Sequence, residues 1–142
     1  MQPRISLITL GVRDLARARR FYVDGLGWPV SSASSDDTVF LRTGGAVISL
    51  WSRQQLAEDA RVAAEGSGFG GIALAHNVAT RAEVDTVLAA VVAAGGTITK
   101  PAEEAFWGGY AGYFADPDGV PWEVAWNPHF PLGPDGAVQL PE

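Results

Sequence analysis

Residues 4–12 (RISLITLGV) alternate, with Ile8, Leu10 and Val12 on one face and Leu7, Thr9 and Gly11 on the other. That period of two predicts a strand. Asp14 follows as a helix N-cap, its carboxylate able to accept from the free amides of a first turn. Leu15, Ala18, Phe21 and Tyr22 then fall at helical spacing until Gly25 and Gly27 stop the helix and Pro29 prevents its resumption. Residues 38–43 and 46–51 read as a hairpin turned by Gly44-Gly45. Ser52 and Gln55 have capping-box spacing for a short helix over residues 53–63, and a glycine-rich loop follows at 66–71.

The second half repeats the order. Residues 71–78 predict a strand, and Thr80 with Glu83 predicts a second capping box. Val84, Val87, Leu88, Val91 and Val92 recur at i, i+3, i+4, i+7 and i+8, the stripe of an amphipathic helix that Gly95-Gly96 ends. Residues 97–100 predict a short strand. Residues 109–115 and 120–126 predict a hairpin around Asp116-Pro117-Asp118-Gly119, with proline at i+1 and glycine at i+3 of a type I turn. The last 16 residues hold four of the nine prolines and predict an extended tail. The expected organisation is a first module over 1–65, a second over 66–128 and a proline-rich tail over 129–142. One such unit cannot cover its own sheet; two packed units can.

Composition narrows the function. The chain has 142 residues, 47% of them hydrophobic and 18% charged, enough apolar material for a core. A net charge of -6 is a poor match to a phosphate backbone, so no nucleic-acid partner is expected. Cysteine is absent, which removes disulfides, thiolate nucleophiles and thiolate-bound metals. No apolar run reaches the roughly 18 residues of a membrane span, and no signal peptide is apparent, so no membrane partner and a cytoplasmic location are expected. Loop 66–71 lacks a phosphate-loop lysine, and the serines at 31–35 lack a histidine in frame, so neither nucleotide binding nor a hydrolytic triad is supported.

The stretch LITLGVRDLARARRFYVDGLGW resembles the opening module of the vicinal oxygen chelate superfamily, the glyoxalase/bleomycin resistance/dioxygenase proteins. GFGGIALAHNV resembles its second-module opening, and GGYAGYFADPDGVPWEVAWNP its closing hairpin. The resemblance spans residues 5–128 and implies an α+β fold: two βαβββ modules forming a cup-shaped mixed sheet that holds a ligand. It also implies four metal-ligand positions, which fall here on Leu7, Ser49, Gly71 and Glu123. Only Glu123 keeps a donor of the required kind, and one carboxylate is too few, so no metal and no cofactor are expected. His76 is five residues beyond Gly71 and faces away from the metal position by strand alternation; His129 lies in the tail. Both read as structural rather than ligating.

Glu123 shares a face with Pro121 and Ala125, whereas Trp122, Val124 and Trp126 alternate to the other. By the resemblance, the cup is lined by Leu7, Thr9, Trp51, Trp107, Tyr110 and Glu123. The group Phe106-Trp107-Gly108-Gly109-Tyr110 sets aromatics beside glycines, which suits a planar or apolar ligand. Three readings stand: a metal-independent module binding a small apolar or aromatic molecule, a metal-free lyase or isomerase with Glu123 as general base, or a metal-dependent glyoxalase or dioxygenase. Whether the chain is an enzyme stays open. The resemblance further implies a homodimer.

Overall fold

The computed structural model describes residues 6–61, 63–66, 68, 70 and 72–138. The chain divides into two compact units, Met1–Gly70 and Gly71–Glu142. Each carries a mixed sheet with one parallel strand pair, so the fold is α+β as expected.

In the first unit, β1 (Leu7–Val12) is followed by α1 (Leu15–Arg19), a turn of π-helix (Arg20–Gly25), β2 (Thr38–Leu41), β3 (Val47–Ser52) and α2 (Arg53–Ala60). Asp14 caps α1 as expected: its Oδ1 accepts from the Arg17 amide at 2.9 Å. The sheet order is β1-β3-β2, with β1 and β3 parallel. A further strand is reduced to one bridge, Val30 to Leu41. Alternation sends Leu10, Val12, Val39, Leu41, Ile48 and Leu50 into the core, where α1 packs on β3 beside buried Ala18, Phe21 and Tyr22. Tyr22 meets Phe21 edge to face at 4.9 Å and Trp28 at 5.4 Å. The helix expected over 53–63 ends earlier, at Ala60, because Arg61 turns left-handed (φ 55°). Ser52 caps it through the Gln55 amide.

In the second unit, β4 (Leu74–Asn77), α3 (Arg81–Ala93), β5 (Thr97–Glu104), β6 (Tyr110–Ala115) and β7 (Pro121–Trp126) form the sheet β4-β7-β6-β5, with β4 parallel to β7. The Thr80–Glu83 capping box closes in both directions. Val84, Leu88 and Val91 of α3 are buried, as are Phe114, Trp122 and Val124 of the strands that α3 packs against. Phe114 and Trp122 are cross-strand partners, their rings parallel at 6.1 Å.

Three expectations need correction. β5 runs to Glu104 rather than residue 100, because it is an edge strand, where Pro101 breaks no ladder and two register shifts absorb the irregularity. The strand expected over 71–78 is ordered as β4 only over Leu74–Asn77, and Gly71 lies outside the described residues. The tail is not plainly extended. The Asn127 and Asp135 carboxamide and carboxylate accept from amides two residues on, and Leu132 bridges antiparallel to Val138.

Candidate functional site

The register of β6 and β7 decides which side chains share a face, since directly opposed residues point the same way. Tyr113 opposes Glu123, Ala111 opposes Ala125, and Ala115 opposes Pro121. Ala75 of β4 lies beside Glu123, and Asn77 beside Ala125. One face of the second sheet therefore carries alanines with a tyrosine and a carboxylate at its centre, and Ala111 and Ala125 there are almost wholly buried. The Tyr113 hydroxyl lies near enough to the Glu123 carboxylate to feel its charge. Burial pushes the Tyr113 pKa above its ordinary 10.0, and the charge of Glu123 pushes it further, so the hydroxyl keeps its proton through the neutral range. At the sheet edge, Lys100 opposes Tyr113 and Glu103 opposes Ala111. These two exposed charges bind one another at 3.0 Å.

The other face belongs to α3. Tyr110 opposes Trp126 there, and its hydroxyl donates to Asp85 Oδ1 of α3 at 3.1 Å. That hydrogen bond, ahead of the nearby acidic charges, raises the Tyr110 pKa. Arg81 at the start of α3 lies 4.9 Å from the Trp126 ring and 5.9 Å from that of Tyr110, and its guanidinium pairs with Glu104. An open groove of about 280 Å³ runs between α3 and β5, lined by Asp85, Leu88, Ala89, Val92, Ile98 and Tyr110 among others.

Trp107 sits in the tight turn between β5 and β6. The Gly108 amide donates to the Ala105 carbonyl, and the Ala105 amide to the Gly109 carbonyl, so Gly109 continues the β6 ladder. Gly108 has φ 89°, the left-handed residue that closes such a three-residue loop. A Cβ built on Gly109 would overlap the six-membered ring of the Trp107 indole, around Cζ3, Cη2 and Cε3. By alternation that Cβ would point to the face of Ala111 and Tyr113. Trp107 therefore folds back over Gly109 on the Glu123 face, while its neighbour Phe106 is wholly exposed.

Of the six residues expected to line one cup, the structure brings together two groups. Leu7, Thr9 and Trp51 share a face of the first sheet, with Thr38, Phe40 and buried Ser49. At the Gly11 end of that face, α2 approaches closely: a Cβ there would lie 3.2 Å from Leu56 Cδ2. Trp107 and Glu123 share a face of the second sheet. Tyr110 does not join them. Tyr113 occupies the place expected of it, and sequence reasoning passed over that residue.

The donor set does not fit the divalent ion that the four-position pattern implies. Leu7 offers hydrocarbon, Ser49 a hydroxyl, and residue 71 no side chain, which leaves Glu123 as the one carboxylate of the four. Among the described residues no three His, Asp or Glu side chains cluster to hold a metal. His76 opposes Val124 and so points to the α3 side, away from Glu123. It stays more than a third exposed at the sheet edge, yet desolvation by its neighbours lowers its pKa from 6.5. No helix among the described residues is long and apolar enough to cross a membrane.

The sequence matches the glyoxalase/bleomycin resistance protein/dioxygenase superfamily over residues 4–124. The chain belongs to that superfamily. A glyoxalase-related enzyme from Fulvimarina pelagi is similar at 41% identity and TM-score 0.89, covering 99% of each chain. A superfamily enzyme from Burkholderia phytofirmans is similar at 25% identity and TM-score 0.77, covering 85% of this chain and 96% of the other. A lactoylglutathione lyase from Agrobacterium tumefaciens shares the fold at 24% identity and TM-score 0.67, covering 89% and 95%. No curated protein matches the sequence. Superfamily membership accounts for the paired modules, each with its first strand parallel to its last.

Proposed function

We propose that the chain is a metal-independent member of the superfamily that binds a small, largely apolar molecule bearing a cation or hydrogen-bond donor, with Glu123 as its polar anchor. The observation that carries the reading is the pairing of Tyr113 with Glu123 across β6 and β7, beside Ala75 on β4. A carboxylate flanked by a hydroxyl and a methyl group attracts a complementary donor more strongly than one in open water does. Tyr113 stands beside the acid, Trp107 supplies an aromatic wall, exposed Ala75 offers an apolar contact, and Ala111 and Ala125 lie buried beneath. Leu7, Thr9 and Trp51 present a second largely apolar face in the first unit, with no acid on it. The proposal extends to a cytoplasmic homodimer. Light scattering at micromolar concentration checks it.

The same pair supports a second reading, a metal-free lyase or isomerase. Glu123 would take a proton while the neutral Tyr113 hydroxyl, or a ligand atom in its place, stabilises the developing charge. The description of the Fulvimarina pelagi relative as an enzyme favours keeping it. Glu123→Gln separates the two. Under the binding reading, affinity for a hit from a thermal-shift screen of small amines and metabolites falls while no turnover is seen in either protein. Under the catalytic reading, turnover falls by about a hundredfold or more with binding nearly intact. Unchanged affinity and no turnover would end both.

A further inference from the structure

We infer that Arg81 is a latch at one end of the second sheet: its guanidinium holds the β5–β6 turn against α3, and its release opens that turn, with Trp107, as a flap while the rest of the sheet stays folded. Arg81 is the first residue of α3, and every residue it meets is a strand end. Glu104 closes β5, Tyr110 opens β6 and Trp126 closes β7. Both terminal nitrogens of the guanidinium engage the Glu104 carboxylate, Nη2 to Oε2 at 3.1 Å, while its carbon lies over the Trp126 and Tyr110 rings. A planar fork can grip a carboxylate with two donors and lie on aromatic rings at the same time; a lysine ammonium cannot.

The segment it holds has little else to hold it. β5 is an edge strand, paired on one side alone. Residues 98–104 run beside residues 110–114 through two register shifts, and Pro101 has no amide to donate. At the shifts the strand is pinned. A Cβ on Gly112 would lie 2.8 Å from Leu88 Cδ1 and 3.0 Å from both the Ala102 nitrogen and the Lys100 carbonyl oxygen, so β5 backbone rests directly on Gly112 there. Beyond Ala102 the anchorage thins: Glu103, Glu104 and Phe106 are exposed, and the turn closes on two hydrogen bonds between Ala105 and Gly108 or Gly109, each 2.9 Å. A segment with so little buried apolar surface opens well below the free energy of global unfolding. Lys100–Ala102 is thus the hinge, residues 103–109 the flap and the Arg81–Glu104 pair the latch. Opening carries the Trp107 ring off its seat over Gly109, so a contact on the α3 face governs an aromatic ring on the opposite face. The latch is releasable because its side chains are 49% and 63% exposed, where salt screens the pair.

The test is backbone hydrogen exchange followed by NMR in the wild type, Arg81→Ala and Glu104→Gln, at low salt and at about 0.5 M. In Arg81→Ala the Ala105 amide exchanges about tenfold faster than in the wild type at low salt, the amides of the β6–β7 ladder keep their rates, and the Trp107 indole resonance shifts. Glu104→Gln leaves Arg81 on its two rings and guards against loss of folding in the first variant; it gives a smaller change in the same direction, and high salt moves the wild type toward it. An Ala105 amide that exchanges no faster in either variant would overturn the latch. So would an acceleration shared equally by the β6–β7 ladder, which would make Arg81 a contributor to global stability alone. A Trp107 resonance that stays in place while Ala105 opens would overturn the flap.

Discussion

Tyr110 and Tyr113 lie three residues apart on one strand and work on opposite sides of the sheet. Tyr110 faces α3, where Asp85 and Arg81 engage it and Leu88 and Val91 pack nearby. Tyr113 faces away from α3 and meets Glu123 above alanines. Both hydroxyls have raised pKa values, Tyr110 chiefly through its hydrogen bond to Asp85 of a helix and Tyr113 chiefly through burial, with Glu123 adding to it. One side of the sheet is packed by a helix; the other carries the tyrosine and the acid between buried alanines. A fold that hosts many activities can keep the first constant and vary the second.

Substitutions on the two faces should therefore separate. The largest effect belongs to the α3 side. Leu88→Ala removes a buried side chain whose Cδ1 fills the space above Gly112, and should cost about 2–5 kcal/mol of stability by denaturant unfolding while ligand affinity holds. An equal loss of affinity would blur the division. Next comes Glu123→Gln, which keeps the shape but removes the charge. Amine affinity should fall by about 1.5–3 kcal/mol, roughly 13- to 160-fold, with little change in melting temperature.

The tyrosine pair gives a sharper contrast of smaller size. Tyr113→Phe should weaken binding by about 0.5–1.5 kcal/mol, since it removes the hydroxyl that stands beside Glu123. Tyr110→Phe should leave affinity unaltered. Equal effects from the two would mean that the faces are not distinct. The smallest expected effect is the pH response of His76. Its lowered pKa means that the folded state prefers the neutral ring. The stability this contributes is complete above 6.5 and is lost as the pH falls through the lower folded value. His76→Gln should flatten the acid limb of melting temperature against pH slightly, and a steeper limb in the variant would refute the assignment.

Much of this architecture is legible in the sequence because its signals are local. Asp14, Thr80 and Glu83 mark helix starts through hydrogen bonds made within one turn, and the Val84–Leu88–Val91 stripe marks a buried helix face. The site was half legible, and the reason lies in one turn. Reading Asp116–Gly119 as a four-residue loop pairs Ala115 with Val120, which would bring Tyr110 to the Glu123 face. In the structure the Asp116 amide donates to the Val120 carbonyl, so the ladder begins one residue later. Gly119 at φ 87° absorbs the difference, and Asp116 Oδ1 accepts from the Asp118 and Val120 amides. A slip of one residue exchanges every side chain between faces, so Tyr113 takes the place expected of Tyr110. The Trp107 seat was illegible for a related reason. The glycines beside it were visible, but that Gly109 is covered by its own neighbour's ring emerges only from the turn geometry.

The most direct test maps amide shifts of labelled protein on titration with octylamine. Perturbations centred on Ala75, Ala111, Tyr113, Glu123 and Ala125, extending to Trp107 and Gly109, are the predicted result. Perturbations centred instead on Asp85, Ala89, Val92 and Ile98, in the groove between α3 and β5, would place the ligand on the face that the account assigns to stability and would contradict it.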